Sequence, residues 1–218
     1  DLNRNLEFRK AIKHAIDGKA FAKAMSKGPF VTVYAGGLAR DSAFFDADAT
    51  SFFPYNPAGA NSILDGLGLM DTDGNGVRNL PNGGGDLVIN LVSNKGSDNE
   101  KLIGDGMATM MAEVGIKINL KPMEDTEPTR QAGEWDWLLT RSQQEMAFPN
   151  SGYWSDMGPV TTSSFDPHLG TDEHPQQLQP FEKEIVSILE EWRDGVEGAE
   201  AQALMSRYQK LFTENVYM

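Results

Sequence analysis

The sequence contains no cysteine, which excludes disulfide bonds, thiolate zinc sites and cysteine nucleophiles and suits an exported bacterial protein. Long apolar runs are also missing, because no stretch approaches the ~18 residues that a membrane-spanning helix needs. Basic residues are few: 19 Lys and Arg stand against 32 Asp and Glu, for a net charge of −13. A surface of that sign repels phosphate backbones and anionic lipids, so we expect no nucleic acid or membrane-surface partner.

Sequence motifs of catalysis are missing as well. There is no G-x-S-x-G and no P-loop, and the glycine run "NGGGD" precedes a strand pattern rather than a helix that could bind an anion at its N-terminus. The three histidines, His14, His168 and His174, form neither a metal ligand set nor a triad with a nucleophile. We therefore predict a protein that is not an enzyme and that has no cofactor.

The chain does have enough apolar residues for a real core, since 39% of its 218 residues are hydrophobic. Periodicity predicts helices over 5–16, 17–28, 56–68, 98–115, 180–193 and 198–215, and strands over 85–93, 116–122 and 134–141. The expected N-caps are Asn5, Asp17, Asn56 and Asp98. Among the residues that we expect to face inward are Phe21, Ala24, Met25, Leu102, Met107, Met110 and Met111. Residues 29–55 and 142–176 read as long loops.

The order strand, helix, strand over 85–122, with short turns, predicts a βαβ crossover with two parallel neighbouring strands. We see no internal repeat and no flexible linker. The predicted fold is α/β, a mixed sheet with flanking helices, and residues 1–218 form a single α/β lobe.

The stretch "DTDGNG" matches the first half of a calcium-binding loop, with side-chain oxygens at Asp71, Asp73 and Asn75 and a glycine at Gly76. The position eleven residues after Asp71, where such a loop has a bidentate Glu, is Asn82. Asp, Asn and Gly are also the residues that tight turns require. We favour a turn in which Asp73 and Asn75 bond to the turn backbone and no metal is bound, and a cation held by Asp71, Asp73 and Asn75 remains the alternative.

One segment favours a ligand site. "WDWLLTRSQQEMAFPNSGYW" runs from an aromatic-rich strand into a loop of charged, amide and aromatic residues. Such groups at the carboxyl end of a strand are typical of a ligand cleft in an open α/β sheet. The alternative is a solvated loop whose aromatic rings pack on the core. The candidate ligand-binding residues are Arg141, Gln143, Gln144, Glu145, Tyr153 and Trp154.

Four segments in one order resemble the family 5 extracellular solute-binding proteins, the peptide and oligopeptide receptors of bacterial ABC importers. These segments are "FRKAIKHAIDGKAF", "YNPAGANSILDGLGLMDTDGNGVR", "MATMMAEVGIKINLKPM" and "EWDWLL". The resemblance implies the C-terminal, ligand-closing lobe of a two-lobed, type II-like periplasmic binding protein, with the remainder of the receptor absent from this sequence. It also implies that DTDGNG is a turn that recurs in this family rather than a dedicated metal site.

The resemblance also bears on the ligand. Counting from the Asp of "F-D", family members often have a Trp six residues on and an Asp nine on, which pairs with a peptide α-amino group. Counting from Asp136 places Ser142 and Glu145 there. Glu145 keeps a negative charge for an ammonium group. The missing Trp and the added Arg141 count against ordinary peptide selectivity, and an Arg at this place is suited to bind a carboxylate bidentately. A non-peptide anionic or opine-like solute is therefore an alternative to a peptide.

Together these observations predict a substrate-binding component of an ABC transporter that captures peptides or related small solutes by hinge closure of two lobes. The expected partners are the solute and the importer's permease, and we expect a monomer. The expected location is periplasmic, or extracellular and membrane-anchored, with a lipid anchor allowed in the full-length protein. Two other classes remain to be tested: a calcium-stabilised structural or adhesion module, and a hydrolase.

Overall fold

The computed structural model describes residues 2–26, 37–139, 157–160 and 177–217. In these ranges the helices are α1 (Leu6–Ala15), α2 (Gly18–Met25), α3 (Pro57–Gly66), α4 (Asp98–Glu113), α5 (Glu127–Ala132), α6 (Pro180–Arg193) and α7 (Gly198–Glu214). The strands are β1 (Val88–Asn94), β2 (Lys117–Met123) and β3 (Trp137–Leu138), and short 3₁₀ turns cover Leu2–Arg4 and Pro81–Gly83.

The chain divides into two compact units. Unit 1 contains Asp1–Val33 and Phe53–Thr140, and unit 2 contains Tyr34–Phe52 and Arg141–Met218. Unit 1 holds the sheet and α1 to α5, and unit 2 holds α6 and α7. Each unit has its own cluster of buried hydrophobic residues. That the whole chain acts as one lobe stays a prediction.

Three of the four predicted N-caps are confirmed. The side chain of Asn5 accepts hydrogen bonds from the backbone of the first turn of α1, and Asp17 and Asn56 do the same for α2 and α3. The prediction of Asp98 as the cap of α4 is wrong by one residue. Ser97 is the cap, accepting from the Glu100 backbone, and Asp98 is the first helical residue. As the first residue of α4, Asp98 still places a negative charge near the positive end of the helix dipole, and this stabilises the helix.

The sheet has the strand order β2-β1-β3, and both pairings are parallel. The predicted βαβ crossover through α4 is therefore confirmed. β3 is much shorter than predicted, because only Trp137 and Leu138 pair with Leu91 and Val92. Antiparallel pairing among the described residues is limited to isolated bridges of Asn79 with Met70 and with Asp86.

The core of unit 1 lies between α1, α3, α4 and the sheet. Its fully buried large side chains are Phe8, Leu64, Leu69, Met111 and Ile116. The inward orientation predicted for Ala24, Met25 and Leu102 is wrong: Ala24 is exposed, and the other two are 37% and 39% exposed. α2 instead meets α4 through Phe21, whose ring takes the space where a Cβ on Gly106 would lie.

Arg78 is buried in unit 1 although it follows the exposed DTDGNG turn. Its guanidinium donates to the backbone oxygen of Val114 at 2.7 Å, to the backbone oxygen of Leu69, and to the side-chain oxygens of Asn61 at 2.7 Å and Asp65 at 2.6 Å. Val114 is the C-cap of α4, where a helix has unpaired carbonyl groups and a negative dipole end. One cation therefore ties α3, the chain after it and the end of α4 together.

Unit 2 is built on α6 and α7, which begin and end close to the predicted residues. Apolar side chains of both helices, including Ile185, Leu189, Tyr208 and Phe212, form its core. The described part of the predicted loop over 29–55 has no helix or strand. It is held to α7 by polar contacts, since the Asp46 and Ser51 amides donate to the side chains of Gln209 and Thr213.

Candidate functional site

The short strand β3 fixes where the predicted ligand loop begins. The Leu139 amide donates to the Val92 carbonyl at 2.9 Å, so the chain runs parallel to β1 up to that point. The carboxyl ends of parallel strands share one edge of a sheet, which is where α/β proteins place ligands. The candidate residues Arg141, Gln143, Gln144, Glu145, Tyr153 and Trp154 lie outside the described residues, as does the rest of 141–156. Their place in a cleft stays a prediction.

Asp136 holds β3 in register with β1. One of its oxygens, Oδ2, accepts hydrogen bonds from the backbone and the side-chain amide of Asn90, both at 2.8 Å. Asn90 in turn accepts from the side chain of Asn119 on β2 at 2.8 Å. From the sequence, Asp136 is only a reference point for counting. In the structure it joins a polar chain that runs from the residue before β3 through β1 to β2 on one face of the sheet.

That face borders a groove of about 740 Å³ within unit 1, between β2, α5 and the segment that leads into β3. Its lining combines apolar surface with amide, hydroxyl and charged groups, as solute sites do. The side chains of interest are Val92, Met123, Trp135, Asn90, Lys121, Thr129, Glu134 and Asp136. None of them is among the six candidate ligand-binding residues predicted from the sequence. The available signal was the aromatic and acidic run "GEWDW", because Trp135 and Asp136 begin the segment that favours a ligand site, but we interpreted this run as the strand that leads into the ligand loop.

α5, which sequence analysis missed, is held by a pair of charges on its own surface. Arg130 donates to both carboxylate oxygens of Glu127 at 2.7 Å, and Gln131 donates to one of them at the same distance. The hydrogen bond from Arg130, followed by that from Gln131, lowers the pKa of Glu127 to about 2. Trp135 donates from Nε1 to the Arg130 carbonyl at 3.3 Å. These contacts fix the indole on the rim of the groove.

The DTDGNG loop has the hydrogen bonds of a tight turn. The carboxylate of Asp71 accepts from the amides of Gly74 at 2.8 Å and Gly76 at 2.9 Å. Asp73 accepts from the Asn75 amide, and the side-chain oxygen of Asn75 accepts from the Val77 amide at 2.7 Å. The predicted bonds of Asp73 and Asn75 to turn backbone are therefore confirmed. The Gly76 amide is the main cause of a lowered pKa at Asp71.

A cation is not needed to explain these residues. Within the described ranges, no group of three or more His, Cys, Asp or Glu side chains has an arrangement that could hold a metal ion.

The family described as "Bacterial extracellular solute-binding proteins, family 5 Middle" matches residues 2–164. The periplasmic alpha-galactoside-binding protein of Rhizobium meliloti (strain 1021) is 34% identical over 99% of this chain and 32% of its own length. The periplasmic binding protein MelB of Agrobacterium fabrum C58, solved in complex with stachyose, is 31% identical over 99% of this chain and 33% of its own, with a TM-score of 0.91.

Other solved structures share the fold at lower identity. The oligopeptide-binding protein AppA of Bacillus subtilis, in complex with a nonapeptide, is 17% identical with a TM-score of 0.76 over 98% of this chain and 40% of its own. At that identity the likeness concerns the fold alone. These structures confirm the predicted α/β fold of periplasmic binding proteins.

The chain spans about a third of the length of the alpha-galactoside-binding protein and of MelB. Both are periplasmic binding proteins, in agreement with the predicted location outside the cytoplasm. Within the described residues, no helix combines the length and hydropathy of a membrane span. The family match covers most of the chain, and the resemblance seen in the four sequence segments is confirmed. The chain belongs to the bacterial extracellular solute-binding proteins of family 5.

Proposed function

We propose that the chain is part of the solute-binding component of an ABC importer and that its solute is an oligosaccharide of the α-galactoside type. The observation that carries this proposal is the likeness, over 99% of the chain and above 30% identity, to one protein named for α-galactosides and one solved with stachyose. The oligopeptide-binding proteins AppA and OppA match at only 17% and 18% identity.

The composition of the groove in unit 1 supports a neutral polar solute. Sugar rings have an apolar face and a rim of hydroxyl groups, so they suit sites that combine aromatic surface with amides and carboxylates. The groove offers Trp135 beside Asn90, Glu134 and Asp136. The position six residues after Asp136 is Ser142, so the Trp that often accompanies peptide ligands in this family is absent.

The proposed mechanism is closure of two lobes around the solute, one of them containing this chain. A closed site buries ~70–90% of a ligand's surface, so both lobes must contribute contacts. This chain would supply ligand contacts from the groove in unit 1, and the closed receptor would be recognised by the permease. The predictions of a monomer and of a lipid anchor in the full-length protein belong to this proposal.

Calorimetry on the intact receptor tests the solute. We expect stachyose to bind with a dissociation constant in the micromolar range or below, which corresponds to ~8 kcal/mol or more. Binding of a peptide panel with no response to stachyose would overturn the oligosaccharide assignment and favour the peptide reading. Binding of an opine or another anionic solute alone would favour the reading based on Arg141.

Variants then test the site. Arg141→Ala and Glu145→Ala test the candidate ligand residues that follow β3, and Trp135→Ala tests the groove in unit 1; each variant should weaken binding of the solute. Lys101→Ala is the matched control, since its side chain is 73% exposed and pairs with Asp105 on α4. If these three variants bind as tightly as Lys101→Ala, the site lies elsewhere.

A further inference from the structure

The sequence contains Asn followed by Gly at two places, Asn75–Gly76 and Asn82–Gly83, both in described residues. Asn-Gly dipeptides share one spontaneous reaction. The glycine amide nitrogen, once deprotonated, attacks the side-chain carbonyl carbon of Asn, and ammonia leaves as a five-membered succinimide forms. Because glycine has no side chain to hinder this attack, the local structure decides which dipeptide reacts.

Asn75 is restrained on every side. Its side-chain oxygen accepts from the Val77 amide at 2.7 Å, and its Nδ2 donates to Asp73 at 3.2 Å and to Asp86 at 3.1 Å. The attacking atom is held too, because the Gly76 amide donates to the Asp71 carboxylate at 2.9 Å. Three carboxylates thus surround the dipeptide, and their negative charge disfavours the amide anion that the reaction needs.

Asn82 has none of these restraints. Its side chain makes no hydrogen bond within the described residues, and residues 81–85 are all exposed. Its φ of 59° and the φ of +75° at Gly83 place the dipeptide in a left-handed turn, which Asn and Gly tolerate. A Cβ placed on Gly83 would meet no atom within 4 Å, so the surroundings leave room for the ring.

We propose that Asn82 is a site of spontaneous deamidation and that the DTDGNG turn protects Asn75 from the same reaction. The succinimide at residue 82 is opened by water to aspartate or isoaspartate. The net change is one water consumed and one ammonia released, with no oxidation or reduction. One product keeps the normal backbone, and the other adds a methylene group to it.

The isoaspartate product would alter the approach to the central strand. The Leu80 amide donates to the Gly85 carbonyl at 2.8 Å, which closes the loop around Asn82, and Leu80 packs against the core of unit 1. An extra backbone atom inside that loop changes its closure just before β1. Either product also adds a negative charge to an acidic protein.

The test is to incubate the folded protein in mildly alkaline buffer and to follow both dipeptides by peptide mass spectrometry, with isoaspartate methyltransferase labelling. The protein in denaturant is the reference, where both sites should react at similar rates. In the folded state we expect Asn82 to react within a few-fold of that reference. Asn75 should react about tenfold or more slowly, since at least two hydrogen bonds must break first.

Two variants sharpen the result. Asn82→Gly removes the reactive amide, suits the positive φ and should abolish labelling at this loop. Asp71→Ala frees the Gly76 amide and should raise the rate at Asn75 towards the denatured value. Equal rates at the two sites in the folded wild-type protein, or faster reaction at Asn75, would overturn the proposal without recourse to either variant. An unchanged rate at Asn75 in Asp71→Ala would overturn the protective role of the hydrogen bond from the Gly76 amide to Asp71.

Discussion

Replacing Arg78 by Met should destabilise the protein more than the same replacement of an arginine on the surface. Methionine keeps an unbranched apolar stem of similar length, so the change removes mainly the guanidinium donors. The oxygens that lose a donor belong to Leu69, Val114, Asn61 and Asp65. These oxygens differ in their exposure to water, which can replace the lost donor only where the oxygen is exposed.

The magnitude follows from that difference. Asp65 has a side chain that is 52% exposed, so water can replace the arginine there, and the ion pair itself is worth little. Leu69 and Val114 are 0% and 1% exposed, so their carbonyl groups are left without a donor in the protein interior. Each such loss costs ~1–3 kcal/mol, partly offset because a buried cation no longer has to be desolvated. We expect a net loss of ~2–4 kcal/mol of unfolding free energy.

Urea unfolding followed by circular dichroism measures this loss. For a urea dependence of about 2 kcal/mol per molar, the midpoint should fall by ~1–2 M. The matched control is Arg207→Met, because Arg207 donates to Glu184 at 2.8 and 2.6 Å but is 58% exposed. That variant should lose less than ~1 kcal/mol. Arg78→Lys should fall between the two, since an ammonium group cannot reproduce the planar fork.

Two results would contradict this prediction. If Arg78→Met loses no more stability than Arg207→Met, the carbonyl groups of Leu69 and Val114 find other donors, and the predicted cost of leaving them unpaired is wrong. If Arg78→Lys is as stable as the wild type, charge alone suffices and the geometry of the guanidinium does not matter.

Further expectations concern α5, the turn, the sheet and the isolated chain. The folded pKa of Glu127 is lowered from 4.5 to about 2, so its pairing with Arg130 should be complete above pH 4.5 and lost as pH falls through 2; NMR titration should show its midpoint rising in Arg130→Met. Calcium or a chelator should leave the melting temperature unchanged; a rise with calcium that Asp71→Ala abolishes would establish a metal site. Asp136→Ala removes the acceptor of the Asn90 backbone and side-chain amides and should cost ~0.5–1.5 kcal/mol because both bonds are exposed to water, with faster hydrogen exchange at the Asn90 amide; unchanged exchange would contradict its role in the register. The 218-residue chain alone should bind solute no better than millimolar, because association costs at least ~4 kcal/mol and one lobe offers only part of the contacts; micromolar binding would contradict the two-lobe mechanism.

Features that depend on neighbours in the chain could be predicted from the sequence. The caps Asn5, Asp17 and Asn56 act on amides two or three residues away, so their effect needs no tertiary information. The parallel pairing of β1 and β2 could also be predicted, because two strands joined by a single helix with short turns have few other ways to pair. The order of four segments also identified the family, which the comparisons confirmed.

Features that depend on distant contacts were decided by the tertiary structure. In the sequence, nothing beside Arg78 marks it as a buried residue. It is buried because the tertiary structure brings the carbonyl groups of Leu69 and Val114 to its guanidinium. α5 has six residues and no apolar periodicity, so its helix and the groove beside it could not be seen in the pattern. Two Asn-Gly dipeptides are equivalent as sequence, yet carboxylates from Asp71, Asp73 and Asp86 surround one and leave the other exposed. Helix caps and turns are determined by adjacent residues. Burial, hydrogen-bond pairing and access to solvent depend on which distant segments the fold brings together.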